Sequence, residues 1–339
     1  MADNRAAWLD GAGKEVRLAD APMPKAKSGF VVIRNKAIAI NPVDWKIQDS
    51  GYFIKSWPMI LGCDVAGEVV EVGDNVTHVK KGDRVAAHMI SLLSQDPSDG
   101  GFQLYSAAQA GTTAVIPQSV SFAEGAVFPL AFDTAVVGLC SPAADGFLGL
   151  PLPSLNPTSS GKVIAVWGGS SSVGALTIQM AVAAGVKVVT TASQHNFDFC
   201  KSCGASEVID YKSAGVVDDV VSAVKRLGGT FAGTYDAISL PDQSYKHVLP
   251  IMEKLGGGNL ATVLAAPEKT PDNVKAGSTF GVNELTHPLW KDFVTKAIEN
   301  GQLKCVPEPL IIGNGLESVQ KGLNENKKGV SAKKVVIEL

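Results

Sequence analysis

Residues 162–174, KVIAVWGGSSSVG, hold the residue types that bind phosphate. Lys162–Trp167 is a β-rich apolar run, and Gly168, Gly169 and Gly174 bracket Ser170, Ser171 and Ser172. From Val173 the apolar residues follow helical spacing through Leu176, Ile178, Met180 and Ala184. A strand, a glycine turn and a helix gather backbone N–H groups at a helix N-terminus, where the dipole favours a pyrophosphate. The glycines let the chain turn tightly and approach a ligand. Gly169, Ser170, Ser171, Ser172 and Val173 are therefore candidates for binding a dinucleotide. The spacing departs from GxGxxG, and a ligand-free turn of any α/β protein satisfies the same pattern.

A second strand, VKVVTT, ends at Ser193. NAD-binding units carry an Asp or Glu about 20 residues past the glycines to accept the ribose hydroxyls. Here that place reads TTASQHN, with no carboxylate before Asp198. An acid would repel a 2′-phosphate, so its absence leaves room for one. Ser193, His195 and Asn196 can donate hydrogen bonds there, as can Tyr211 at the end of EVIDY. The site leans to NADPH over NADH, although no Arg or Lys stands in the turn itself.

The elements that position these residues follow a regular order. Strands are predicted at 162–167, 186–191, 207–211, 234–238 and 260–264, with helices at 173–185, 196–203, 216–227 and 244–254. That alternation predicts a doubly wound parallel sheet, with its ligand crevice at the strands' C-terminal ends. The first 120 residues read instead as short strands between Gly, Pro and Asp turns, an irregular β-barrel. CVPEPLII and KKVVIEL return to that style. The expected division is a barrel domain from 1–125 and 268–339, with a nucleotide domain at 126–267. The Pro- and Ser-rich stretch ahead of Lys162 is a surface loop.

Length and composition narrow the function classes. A chain of 339 residues suits two medium domains. A net charge of −3 leaves no basic footprint, so nucleic acid is not an expected partner. The apolar stretch Gly125–Leu152 is broken by Asp, Pro and Gly, and residues 1–16 lack a signal-peptide core. No membrane association is expected, and the cytoplasm is the expected location. Five scattered cysteines argue against a disulfide framework. Cys200 and Cys203 form a lone CxxC, read as packing residues rather than a redox pair.

INPVDWKIQ (40–48), LGCDVAGEVVEVGDNVTHVKKGDRV (61–85) and VWGGSSSVGALTIQMAVAAG (166–185) together resemble the medium-chain dehydrogenase/reductase superfamily. More narrowly, they are similar to its zinc-free quinone-oxidoreductase and enoyl-reductase branch, including fungal ToxD-like and trans-acting enoyl reductases. The motifs span nearly the whole chain. The resemblance implies an α/β fold with a GroES-like barrel and a Rossmann domain. Zinc-dependent relatives carry Gly-His-Glu where this chain has Gly62-Cys63-Asp64, and a Cys near the position of Asn41. One thiol and one carboxylate fall short of the three ligands a catalytic zinc requires, so no metal is expected. Without a Lewis acid, reversible alcohol oxidation loses its means of polarising the carbonyl.

What remains is hydride transfer to an activated C=C, with donors for the enolate oxygen and a proton for the α-carbon. The resemblance implies that Val43, Asp44, Trp45 and Lys46 approach the cofactor. Lys46 either contacts its phosphate or steadies the enolate, unless it is a solvated lysine. Asp44, with Asn41, also fits a loop-shaping role through backbone hydrogen bonds. Tyr52 resembles a Tyr of mitochondrial-type enoyl reductases and is the candidate proton donor, though an exposed loop aromatic explains it equally. Thr134, in FPLAFDTAVVGL (128–139), is a candidate for bonding cofactor or substrate. Phe128 and Phe132 either wall the pocket or pack the core. By the same resemblance the nicotinamide end meets the backbone at Leu264 and Ala265. Thr279, Phe280, Gly281, Val282 and Asn283, with Val330 and Ser331, would shape an acyl pocket.

The expected activity is NADPH-dependent reduction of an enone or enoyl thioester, the latter presented in the sharper version by an acyl-carrier domain of a polyketide synthase. A quinone or small-enone reductase shares the fold, and an NADPH-binding sensor or scaffold is the non-catalytic alternative. A monomer is slightly favoured over a homodimer.

Overall fold

Short strands bounded by turn residues build the barrel unit: β1 (Asn4–Leu9), β2 (Arg17–Ala21), β3 (Phe30–Ala39), β4 (Met59–Ile60), β5 (Asp64–Val72), β6 (Arg84–His88), β7 (Tyr105–Gln109) and β8 (Thr113–Val115). The last stretch of chain adds β15 (Glu308–Asn314) and β16 (Lys333–Glu338) to the same unit. One sheet has the order β2-β1-β4, and a larger one runs β15-β16-β3-β5-β6-β8 with β7 also paired to β3. Side chains from β3, β5 and β16, among them Ile33, Val65, Val69 and Ile337, close a core with Phe102. The computed structural model describes residues 3–339.

The segment NPVDWKIQDS, expected as a loop, is a helix from Pro42 to Ser50. Its signals are local. Asn41 is an extended N-cap, Pro42 starts the first turn, and Gly51 ends the helix in the left-handed region at φ 72°. The Asp44 carboxylate accepts the Asn41 N–H at 2.7 Å, which is the backbone bond expected of a loop, used here to start a helix. Ile47 and Gln48 face inward. Gln48 Nε2 donates to Gln320 Oε1 (2.8 Å) and Trp45 Nε1 to Asn326 Oδ1 (3.1 Å), docking this cap helix on the helix Val319–Lys328.

The second unit is a parallel sheet of β9 (Lys162–Trp167), β10 (Lys187–Ala192), β11 (Glu207–Asp210), β12 (Thr230–Asp236), β13 (Gly258–Thr262) and β14 (Val274–Ser278). Their order is β11-β10-β9-β12-β13-β14, the 3-2-1-4-5-6 arrangement of a Rossmann sheet. Its helices are held by apolar stripes. On Val216–Leu227 the buried residues are Val216, Val220, Val221, Ala223 and Val224, spaced for one face. Each such valine contributes about 1.5–3 kcal/mol on burial. β12 and β13 begin earlier than their apolar runs suggested. Their glycine-containing starts, TFAG and GN, pair in the sheet despite carrying little hydrophobic signal.

The units comprise Met1–Leu130, His287–Glu299 and Cys305–Leu339 in one, and Ala131–Thr286 with Asn300–Lys304 in the other. The chain changes unit at 130/131 and 286/287 rather than at 125/126 and 267/268. The later exchange follows from β14, a sixth parallel strand that the sequence did not reveal. The turn around Gly146 packs on this end strand, and Asn259 Nδ2 donates to Ala143 O (2.9 Å) and Phe147 O (2.6 Å). Phe122–Cys140 is long and apolar enough to cross a membrane by length and composition, but 83% of its window is buried, as in a core helix.

Candidate active site

At the end of β9 the chain enters the glycine turn through Gly168, whose φ of +82° suits a residue without Cβ. Gly168 N–H donates to Thr191 Oγ1 (3.1 Å) and Gly169 N–H to Thr191 O (2.9 Å), tying the turn to β10. Ser171 caps the helix Ser172–Ala183, its hydroxyl accepting the Gly174 N–H at 3.0 Å. A Cβ on Gly174 would stand 2.2 Å from Gly168 O, so only glycine permits this closure. The Ser172 hydroxyl is buried and has no hydrogen-bond partner. An unpaired buried hydroxyl at a helix N-terminus fits an anionic ligand that would pair it. The turn therefore suits the pyrophosphate of a dinucleotide.

At the end of β10, Ser193 Oγ lies 3.4 Å from Tyr211 Oη, and Asn196 N–H closes the turn on Ser193 O (2.8 Å). His195 is exposed and Asn196 buried. Lys212, which sequence reasoning passed over, places its ammonium 5.9 Å from the Tyr211 ring centroid. It is a cation at the end of β11, next to the Tyr211 that reaches Ser193. The letters YK after EVID were the available signal. Cys200 and Cys203 are buried, and burial pushes their thiols up to about 12 and about 11, which leaves them protonated and unreactive.

In the barrel unit a buried polar cluster gathers Asn41, Asp44, Asp64 and Lys334. Lys334 Nζ is 2.9 Å from Asp64 Oδ2 and donates to Asn41 Oδ1 at 2.6 Å. Asn41 Nδ2 donates to the same Asp64 oxygen at 2.7 Å, and the other Asp64 oxygen accepts Leu130 N–H at 2.6 Å. Asp44 is enclosed, and desolvation pushes its carboxyl up to about 7 even though the Asn41 and Gly62 N–H groups stabilise its ionised form. Burial also raises the Cys63 thiol well above its usual value. These residues do not suit a zinc ion: the carboxylate and amide oxygens a metal would use already face an ammonium. Among the described residues no three His, Cys, Asp or Glu side chains group to hold one.

The remaining expected site residues divide between open and enclosed positions. Val43 and Trp45 are half-buried against the barrel core. Lys46 is half-buried with its ammonium 5.6 Å from the Trp45 ring centroid, and partial desolvation lowers its pKa. Tyr52, just after the cap helix, is 69% exposed and tilted against Phe53. Thr134 is buried, and its carbonyl accepts Tyr235 Oη at 2.8 Å. The Leu264 carbonyl accepts from Thr262 Oγ1 and Ser278 Oγ, both at 2.8 Å, and Ala265 O from Tyr245 Oη at 2.6 Å. Thr279 Oγ1 is buried without a hydrogen-bond partner, Phe280 is partly exposed, and Gly281 and Val282 are half-buried.

One pair of expected pocket residues needs correction. Phe128 and Phe132 are completely enclosed, and Phe128 stacks on Trp290 at 5.9 Å, so both pack the core instead of walling a pocket. The Asp44 carboxyl accepts the N–H of its own helix start and that of Gly62, the loop-shaping role expected of it. Asn283 forms a turn with Leu285 N–H (2.9 Å) that begins the next helical turn. Val330 packs on the barrel core, while Ser331 is exposed.

Residues 27–131 match the alcohol dehydrogenase GroES-like domain and residues 172–286 the zinc-binding dehydrogenase family. The second match lies entirely within the nucleotide unit, whereas Asp64 and Lys334 belong to the other unit. The chain is 47% identical to dehydrogenase orsE of Emericella nidulans, covering 100% of both chains. It is 39% identical to trans-enoyl reductase himH of Aspergillus japonicus, covering 99% of this chain and 97% of that one. Among solved structures, an alcohol dehydrogenase superfamily protein from Novosphingobium aromaticivorans superimposes with a TM-score of 0.78 at 21% identity, covering 99% of each chain.

Proposed function

The chain belongs to the medium-chain dehydrogenase/reductase superfamily, in its quinone-oxidoreductase and enoyl-reductase branch, and from that premise we propose that it reduces an activated C=C with NADPH. The observation that carries this reading is the Asp64–Lys334 cluster. A corner whose oxygens face an ammonium offers no Lewis acid to a carbonyl, which favours zinc-independent chemistry on a conjugated double bond. The likeness to a trans-enoyl reductase supports an enoyl group as the acceptor; an enoyl thioester of fungal polyketide metabolism, presented by an acyl-carrier domain, is the specific form of this proposal.

When bound, NADPH supplies the hydride that adds to the β-carbon. The chain's own contribution is to hold and protonate. Ser172 Oγ and the N-terminus of the helix Ser172–Ala183 would hold the pyrophosphate, while Ser193, Tyr211 and Lys212 would receive the 2′-phosphate. Lys46 steadies the negative charge on the enolate oxygen. Tyr52 or water gives the α-carbon its proton, completing addition of one hydride and one proton across the bond.

The test is NADPH consumption by metal-stripped protein against enoyl thioesters, free enones and quinones, with NADH alongside. Preferred turnover of an enoyl thioester with NADPH supports the reading. Turnover confined to quinones or small enones moves the activity to that branch, and cofactor binding without any turnover overturns it.

A further inference from the structure

Lys334 is 3% exposed and Asp64 completely buried, 2.9 Å apart. Burying two ions forfeits hydration that their attraction seldom repays in full, and apolar replacements are often as stable. What an ionic contact adds is direction. Here the direction is specific, because each partner holds a different element. Lys334 lies on β16, Asn41 is the N-cap of the helix Pro42–Ser50, and Asp64 opens β5. Through its second oxygen Asp64 also holds the Leu130 N–H, in the first turn of the helix Pro129–Cys140.

We propose that Lys334 is a positioning residue for the reduction: its ammonium clamps Asn41 to Asp64 and so fixes the starts of the two helices that carry Lys46 and Thr134. Trp45 and Lys46 follow Asn41 by little more than one helical turn, and Thr134 follows Leu130 by one. A shift at either helix start is therefore passed to these residues with little damping. The assignment rests on the NADPH-dependent reductase reading.

The test uses full-length protein and two variants, Lys334→Met and Lys334→Met with Asp64→Asn. The single variant strands the buried Asp64 carboxylate; the double removes both charges of the pair, and all readouts are taken at pH 6, below the raised Asp44 value, where that carboxyl is largely protonated. Binding of 2′,5′-ADP reads the adenosine end alone, NADPH reads both ends, and kcat on crotonyl-pantetheine reads the chemistry. For the double variant the expected result is 2′,5′-ADP affinity within about two-fold of the parent, NADPH affinity at least about five-fold weaker, and kcat at least about ten-fold lower. The single variant should melt below the double. A folded double variant with all three readouts within about two-fold of the parent overturns the proposal, as does a single variant that melts no lower than the double. If the parent binds NADPH but reduces no acceptor, the reductase reading fails separately. The ratio of NADPH to 2′,5′-ADP affinity still decides the role of Lys334.

Discussion

Replacing Asp44 by asparagine should stabilise the protein at neutral pH and destabilise it in acid. Desolvation raises the Asp44 carboxyl from the ordinary 3.8 to about 7. Between those values the folded state holds a proton that the unfolded state has released, so stability falls as pH rises through that window and levels above it. At about 1.4 kcal/mol per pH unit, the full window costs about 4 kcal/mol. In the Asp44→Asn variant the amide keeps an oxygen for the Asn41 N–H but leaves the Gly62 N–H, now 3.3 Å from Asp44 Oδ1, without its acceptor. That loss is worth about 1 kcal/mol. The variant should therefore be about 1 kcal/mol less stable near pH 4 and about 2–3 kcal/mol more stable near pH 8. Urea unfolding of both proteins across that range measures the difference, and a carbon-13 titration of the Asp44 carboxyl measures its cause. A stability difference independent of pH, or a carboxyl that titrates near the ordinary aspartate value, refutes the reasoning.

Gly174→Ala should weaken NADPH binding by about ten-fold or more and lower the melting temperature, because its Cβ would sit 2.2 Å from Gly168 O; unchanged binding by fluorescence titration would clear the turn of that role. Ser193→Ala with Tyr211→Phe should cost NADPH about ten-fold or more in Kd while leaving NADH unchanged, since only the former carries a charged 2′-phosphate to lose donors. Lys46→Met retains a stem to pack near Trp45 and should lower kcat about ten-fold or more without altering the melt. A raised NADPH KM at constant kcat would instead assign Lys46 to a cofactor phosphate.

The glycine turn and its flanking strand and helix were legible because every signal is local. Glycine dihedrals, the Ser171 cap and the switch from strand to helical spacing lie within a few residues of each other. The cap helix was legible in principle through Asn41, Pro42, Asp44 and Gly51, but its short apolar pattern hid it. β14 escaped because VKAGS carries little apolar signal and gains its place by pairing with β13.

By itself the sequence determined the alternation of strands and helices from β9 to β13, the Rossmann turn and the absence of an acid at the ribose position, since these depend on backbone preference and residue type along a short stretch. Only the tertiary structure decided that Phe128 stacks on Trp290, that Tyr211 reaches Ser193, and that Lys334 meets Asn41 across 293 residues. The reason is physical. A buried charge is tolerable only where the fold brings its partner, and that partner is set by sheet register and packing, not by spacing in the chain.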